Sequence, residues 1–356
     1  MKKIDNLRIK ALKPLISPIS LQANYPVSPQ AAELINHTRE VVSSIIHGHD
    51  SRLLVIIGPC SIHDPAAALE YSKKLKTCIE KYQTELCIVM RAYFEKPRTT
   101  IGWKGFLNDP NLNESFNING GLSHARELLL QINNLGVAVG TEFLTTILPQ
   151  YIADLISWAA IGARTVESPL HRELSSGLSM PVGFKNAISG LVEPAIDAVK
   201  TARYPHHFLG INADGVAAVV STTGNMDSHI ILRGGKITGS NYHAAAIQHA
   251  SQLLVDQGLS PGVMIDCGHG NSQKDHMKQL IVIDNLCEQI LAGNRNIMGV
   301  MIESYLLAGR QDIVAGKALN YGQSITDTCI GWEDTLAVLE QLAATVKQAR
   351  EPNYAL

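Results

Sequence analysis

Residues 53–65 read Leu-Leu-Val-Ile-Ile-Gly-Pro-Cys-Ser-Ile-His-Asp-Pro. An aliphatic run closed by Gly58 has the length and character of a strand buried on both faces. Asp64 stands where a helix start needs a side-chain acceptor, and Pro65 suits the first turn. Beyond it Ala68, Tyr71, Leu75, Cys78 and Ile79 fall on one face at helical spacing. The unit is a buried strand, a polar loop and an amphipathic helix. Strand-like runs of this kind recur at 53–58, 86–93, 137–143, 163–167, 182–185, 230–233, 263–266 and 298–303. Helical patterns separate them; Leu122, Ala125, Leu128, Leu129 and Ile132 mark the second. Eight β-then-α units predict an α/β fold, a closed (β/α)8 TIM barrel over residues 51–356. An open doubly wound sheet is the alternative, but no Gly-x-Gly-x-x-Gly follows any strand.

Two additions surround the barrel. Phe208–Ile211, Asn212-Ala-Asp-Gly215 and Val216–Ser221 read as a β-hairpin, about 207–222, inserted before the sixth barrel strand. Residues 1–50 precede the first strand and are expected to form an N-terminal arm serving packing, regulation or oligomerisation.

Composition narrows the function. The chain has 356 residues, 46% hydrophobic and 17% charged, so it can bury a large core and is not disordered. Its net charge of -2 and pI near 6.7 make it a poor nucleic-acid binder. Cysteines 60, 78, 87, 267, 287 and 329 form no Cys-x-x-Cys pair, which fits reduced thiols in the cytoplasm. No aliphatic run is long enough for a membrane span, and Met1–Lys10 lacks the apolar core of a signal peptide.

In a barrel, chemistry gathers at the C-terminal strand ends, where the βα loops converge. Read in order, those ends carry Cys60, Arg91 with Lys96 and Arg98, Glu142, Arg164, Lys185, Arg233, His269 and Glu303, with Asp327 in the last loop. Arg91, Lys96, Arg98, Arg164, Lys185 and Arg233 around one mouth call for anionic groups, phosphate or carboxylate. Each alone could pair with a surface carboxylate; six at strand ends argue otherwise. Cys60, His269, Glu303 and Asp327 together offer sulfur, imidazole and carboxylate to a divalent metal. A lone buried Cys is ordinarily a small core residue, and His63, Asp64 and Asp266 compete as ligands.

Several strings carry a resemblance. They are Gly-Pro-Cys-Ser-Ile-His-Asp (58–64), Lys-Pro-Arg-Thr-Thr (96–100), Gly-Ala-Arg-Thr (162–165), Gly-Phe-Lys-Asn (183–186), Leu-Arg-Gly-Gly (232–235) and Ser-Ile-Thr-Asp (324–327). With them the chain resembles the microbial class I 3-deoxy-D-arabino-heptulosonate 7-phosphate synthases, almost from end to end. The resemblance implies condensation of phosphoenolpyruvate with erythrose 4-phosphate, the first step of the shikimate pathway. It implies Cys60, His269, Glu303 and Asp327 as ligands of one divalent metal ion, whether Mn, Fe, Co, Zn or Cu. Arg91, Lys96, Arg164, Lys185 and Arg233 match the residues that hold phosphoenolpyruvate. Arg98 and Thr99, with Asp327 nearby, match those that hold the aldose phosphate. Lys96, Glu142 and His269 are then the expected catalytic residues: Lys96 gives a proton to the aldehyde oxygen, and Glu142 orients the attacking water. Ala187-Ile188-Ser189 departs from the family's more frequent Gly-Thr-Asp, and Gly268 replaces a common Ser; shifted affinity is expected from both.

The resemblance also implies an effector site formed by Gln150, Leu174, Leu178, Ser179, Phe208, Gly210 and Asn6. Phenylalanine-sensitive members tend to carry Ser at 210 and Asp at 6. Gly210 leaves room for a ring hydroxyl and Asn6 can bond one, so tyrosine is the expected inhibitor. The family builds homodimers and homotetramers, and one of these is expected. Four alternatives stay open: a sister synthase using arabinose 5-phosphate, a phenylalanine-sensitive isozyme, a metabolite sensor on an inactive barrel, and a metal-dependent aldolase that uses no phosphoenolpyruvate.

Overall fold

The protein is described by a computed structural model that covers residues 4–97, 102–314 and 316–351. Eight parallel strands close into a barrel: β1 (Leu53–Gly58), β2 (Leu86–Arg91), β3 (Val139–Glu142), β4 (Trp158–Ile161), β5 (Val182–Lys185), β8 (Ser228–Leu232), β9 (Val263–Asp266) and β10 (Ile297–Glu303). Their order around the barrel is β1-β10-β9-β8-β5-β4-β3-β2. The closing seam pairs Leu54 with Gly299 on one side of β1 and Leu53 with Leu86 on the other. All eight strands are buried along their length, as a ring covered outside by helices and filled inside requires.

One strand lies elsewhere than expected. The fourth is Trp158–Ile161, and residues 163–167 are a turn beyond its end. Trp158 supplies the reason: its ring is fully buried and packs on Gly140 of β3, where a Cβ would sit 3.0 Å from its Cε3. Packing fixed a strand that intrinsic propensity does not favour.

The outer helices bear out the periodicity. In α3 (Pro65–Tyr82) Asp64 is the N-cap, accepting from the Ala66 and Ala67 N–H groups at 2.9 and 3.2 Å. Ala68, Tyr71, Leu75 and Cys78 are buried against the strands, with Ile79 partly so. In α4 (Ile118–Asn134) the five predicted apolar residues are all buried.

The hairpin pairs β6 (His207–Ile211) antiparallel with β7 (Ala217–Ser221). Asn212 organises its turn by accepting from the Asp214 and Val216 N–H groups, and Gly215 takes φ +77°.

Residues before β1 divide in two. Helix α2 (Pro29–Ile46) lies under the barrel, where Val41, Val42, Ile45 and Ile46 join Ile56, Val89, Trp158, Ile231, Met264, Met298 and Met301 in one apolar cluster. It is the floor. The segment before it runs past the hairpin: Ile19 N donates to Ala213 O at 2.8 Å, and Tyr151 Oη donates to Ile16 O at 3.0 Å. Buried Arg126 anchors the same region, reaching Tyr25 O and gripping both oxygens of Asp154 at 2.7 Å. Ile4, Leu7, Ile9 and Leu12 at the outer end are exposed.

Candidate active site

The strand ends carry the site. β1 and β2 run so close there that a Cβ on residue 58 would sit 2.9 Å from Arg91 O, so glycine is needed just before Cys60. Cys60 is fully buried. Lys96, arriving from the β2 end, donates from Nζ to Cys60 O at 2.5 Å and to Cys60 Sγ at 3.0 Å. Beside it, at the end of β2, Arg91 is almost wholly buried, its guanidinium 3.9 Å over the Tyr93 ring and 3.3 Å from Glu303 Oε1. Burial works against its charge, but Tyr93 and Glu303 outweigh burial and hold its pKa above the ordinary value.

Cys60, Glu303 and Asp327 bring one ligand atom each within 4.8 Å of one another. His269 stands beside this group rather than in it, with Nε2 4.0 Å from Glu303 Oε1. Its backbone is left-handed, φ +54°, a conformation that costs energy and aims the ring inward. Its Nδ1 lies 2.9 Å from Asp266 Oδ2, which also lies 2.9 Å from Lys185 Nζ. These are charge contacts without hydrogen-bond alignment at Asp266 Oδ2 or His269 Nδ1. Burial opposes the Asp266 charge, yet His269 and Lys185 hold its pKa well below the carboxylate range. Asp266 therefore lies against both the Lys185 ammonium and the His269 ring, on the side of the imidazole away from Glu303.

The donor set fits a divalent metal. Burial, and then the neighbouring Glu303 charge, push the Cys60 thiol up to about 11, the cost of a thiolate buried among carboxylates. A dication removes that cost, and sulfur with carboxylate and imidazole suits a first-row metal.

Above this group opens a cavity of about 560 Å³. Lys96, Arg164, Lys185, Arg233, Lys236 and Lys274 line it, facing Glu142 and Asp327. Arg233 is pushed down chiefly by burial; Asp266 opposes the shift and Arg164 adds like charge. Arg164 is exposed, on the turn after β4. Asn186 at the end of β5 braces the next strand end, accepting from Arg233 N at 2.7 Å. Lys236 and Lys274 were not singled out from sequence. Lys236 follows the glycine pair Gly234-Gly235 after β8, and that pair at a strand end is the signal that could have flagged it. Lys274 sits in a left-handed stretch with Gln273 that sequence does not reveal. Of the departures, Ile188 lines the cavity wall, and Gly268 sits where a Cβ would be 3.4 Å from Glu303 Oε2. Arg98 and Thr99 lie outside the described residues.

A separate small cavity of about 60 Å³ lies between the hairpin and α6 (Pro169–Ser175). Gln150, Leu174, Leu178, Phe208 and Gly210 line it together with Val220. Two residues expected there are not brought in. Ser179 is exposed beside Leu178 and outside the lining, and Asn6 is exposed with its amide bonded to Asp5 Oδ2 at 2.9 Å. Asn6 sits in a turn, with φ +56° and its carbonyl accepting from Ile9 N at 3.3 Å.

The chain is similar to known proteins over nearly its whole length. Residues 24–340 match the model of the DAHP synthetase I family. It is 53% identical over 347 residues to phospho-2-dehydro-3-deoxyheptonate aldolase of Haemophilus influenzae, covering 98% of this chain and 96% of the relative. It is 53% identical over 346 residues to the Phe-sensitive enzyme of that name in Escherichia coli, covering 97% and 98%. The solved structure of the phospho-2-dehydro-3-deoxyheptonate aldolase of Francisella tularensis superposes with TM-score 0.94 at 52% identity, covering 96% of this chain and 99% of that one. The barrel with its cationic mouth over sulfur and carboxylate donors, and similarity that runs over nearly all of both chains, lead to one assignment: the chain belongs to the DAHP synthetase I family.

Proposed function

We propose that this enzyme condenses phosphoenolpyruvate with D-erythrose 4-phosphate and water, giving 3-deoxy-D-arabino-heptulosonate 7-phosphate and inorganic phosphate. The observation that carries the reading is the excess of six cations over two carboxylates on one cavity. Both substrates are anions that repel each other, and they can meet only where fixed cations neutralise them. Arg164, Lys185 and Arg233, backed by Arg91, hold the phosphate and carboxylate of phosphoenolpyruvate, while Arg98 and Thr99 hold the aldose phosphate. Cys60, His269, Glu303 and Asp327 would hold one divalent ion, and the chemistry it supplies when bound is Lewis-acid polarisation of the aldehyde. Mn, Fe, Co, Zn and Cu all suit that ligand set.

Lys96 holds a proton within reach of the reacting oxygen and delivers it as C3 of the enol attacks the aldehyde carbon. Glu142 orients water toward C2, where the charge left by that attack is quenched before phosphate departs. Because water adds at C2, the phosphate leaves with its bridging oxygen. Turnover in oxygen-18 water tests this: label at C2 of the sugar acid supports it, and label in the released phosphate refutes it. Phosphate release with erythrose 4-phosphate but not arabinose 5-phosphate separates this reading from that of a sister synthase.

The cavity beside the hairpin is the proposed effector site. Gln150, Leu174, Leu178, Phe208 and Gly210 supply its walls, with Ser179 at the edge and Asn6 brought by a neighbouring subunit's arm, residues 1–50. Tyrosine is the proposed effector, since Gly210 leaves space where a larger residue would press on Val220. Proposed with it are a homodimer or homotetramer and a cytoplasmic location.

A further inference from the structure

At the floor end of the barrel, opposite the catalytic mouth, a third cavity of about 290 Å³ opens. It lies between the loop joining α2 to β1, the start of β10, and the C-terminal ends of α9 (Lys278–Leu291) and α10 (Trp332–Arg350). Its inner wall is apolar, made by Ile45, Leu53, Ile290, Ile297, Met298 and Val346. Its rim carries Arg52, Arg295 and Arg350 against Asp50 alone.

Arg52 is committed to Asp50, with Nη2 2.6 Å and Nε 3.0 Å from Oδ2. The other two arginines are not matched in this way. Arg295 donates once, to Ala349 O at 2.8 Å, and Arg350 once, to Thr84 O at 2.7 Å. Neither has a carboxylate within ion-pair distance among the described residues. A basic residue in the last turn of α10 complements the helix dipole. That explains one charge at the end of a helix. It does not explain two guanidiniums from different elements sharing the rim of one apolar cavity, each with most of its five donors unspent.

We infer that this floor cavity binds a small anion with an apolar body, a single-ring carboxylate. The guanidinium forks match a carboxylate in geometry. The wall rewards a ring, because an inorganic anion would leave that apolar surface wet. A volume near the lower end of ligand pockets, roughly 300 Å³, excludes nucleotides. The site is independent of the reaction proposed above, since the two cavities lie at opposite ends of the barrel.

The test uses the intact protein with isotope-labelled methionine methyl groups, because Met298 forms part of the wall. Benzoate is the probe, with inorganic phosphate and benzyl alcohol as controls, all in saturating phosphoenolpyruvate to occupy the mouth. Benzoate should shift the Met298 methyl signal saturably, while phosphate and benzyl alcohol shift it far less. Arg295→Gln with Arg350→Gln should weaken benzoate about tenfold or more. Both arginines are exposed, so the fold does not depend on them. Ala349→Phe, which fills the cavity and keeps the arginines, should abolish the shift. The inference fails if no saturable shift appears at millimolar benzoate, or if phosphate equals benzoate. It fails equally if the shift survives the arginine changes.

Discussion

Glu142 at the end of β3 sets its carboxylate into the space left by the missing side chain of Gly162, the residue following β4. A Cβ on residue 162 would fall inside van der Waals contact with Glu142 Oε1. The obstructed atom ends a flexible side chain, so Gly162→Ala should fold normally and push the carboxylate off station. Misplacement near 1 Å costs roughly a hundredfold in rate. Steady-state turnover should fall by about that factor with an unchanged melting temperature; wild-type turnover would remove Glu142 from the chemistry.

Metal dependence gives a second test. Cys60→Ala, or prolonged treatment with chelator, should abolish turnover. The fold should survive, since the barrel interior is packed by other side chains and losing one small buried residue costs about 1 kcal/mol. Circular dichroism and phosphate release measured on one sample check both halves. Full activity in chelator would end the metal reading.

His229 makes stability depend on pH. It is buried in the barrel, accepts from Trp158 Nε1 at 3.0 Å, and burial lowers its pKa to about 4 from the ordinary 6.5. The folded state therefore holds it neutral where the unfolded chain would protonate it. Above about pH 6.5 both states are neutral and it contributes nothing. As pH falls from there toward 4 the unfolded state binds the extra proton, and stability drops by up to roughly 3 kcal/mol. His229→Gln should flatten that part of the curve in denaturant titrations at pH 4.5 and 7. An unchanged slope would mean that other groups carry the acid sensitivity.

Effector choice is tested at Gly210. A Cβ there would lie 2.7 Å from Val220 Cγ2, so Gly210→Ser narrows the cavity beside the hairpin. Tyrosine should inhibit the unmodified enzyme more strongly than phenylalanine, because buried partners of a hydroxyl go unpaired with the analogue lacking it. Inhibition should be relieved by Gly210→Ser and by deleting residues 1–10. Equal inhibition by the two amino acids, or none by tyrosine, would refute the choice.

Much of the barrel was legible because parallel strands buried on both faces leave apolar runs, as at 53–58 and 298–303. Trp158-Ala-Ala-Ile161 was not, because two alanines carry no strand preference and only the neighbouring strands bury them. The cationic strand ends were visible one by one, and their convergence followed from the fold. Asp266 could be seen at the end of its strand, but not its contacts with Lys185 and His269, which need β5 and β9 placed in the barrel. The amphipathic pattern of α2 could be read as a helix. Nothing local says that its apolar face closes the floor.

That floor has a consequence for the chain's history during synthesis. The apolar face of Val41–Ile46 leaves the ribosome early, whereas Met264, Met298 and Met301, which cover it, are made near the end. At about 5–20 residues per second the interval is on the order of ten to fifty seconds. Through that time the helix has an oily side and only the earlier part of its floor, Ile56, Val89, Trp158 and Ile231, to rest it on. Nascent chains halted before β10 should be the sticky ones, held by chaperones or lost to aggregation, and release of the last strand should end the danger.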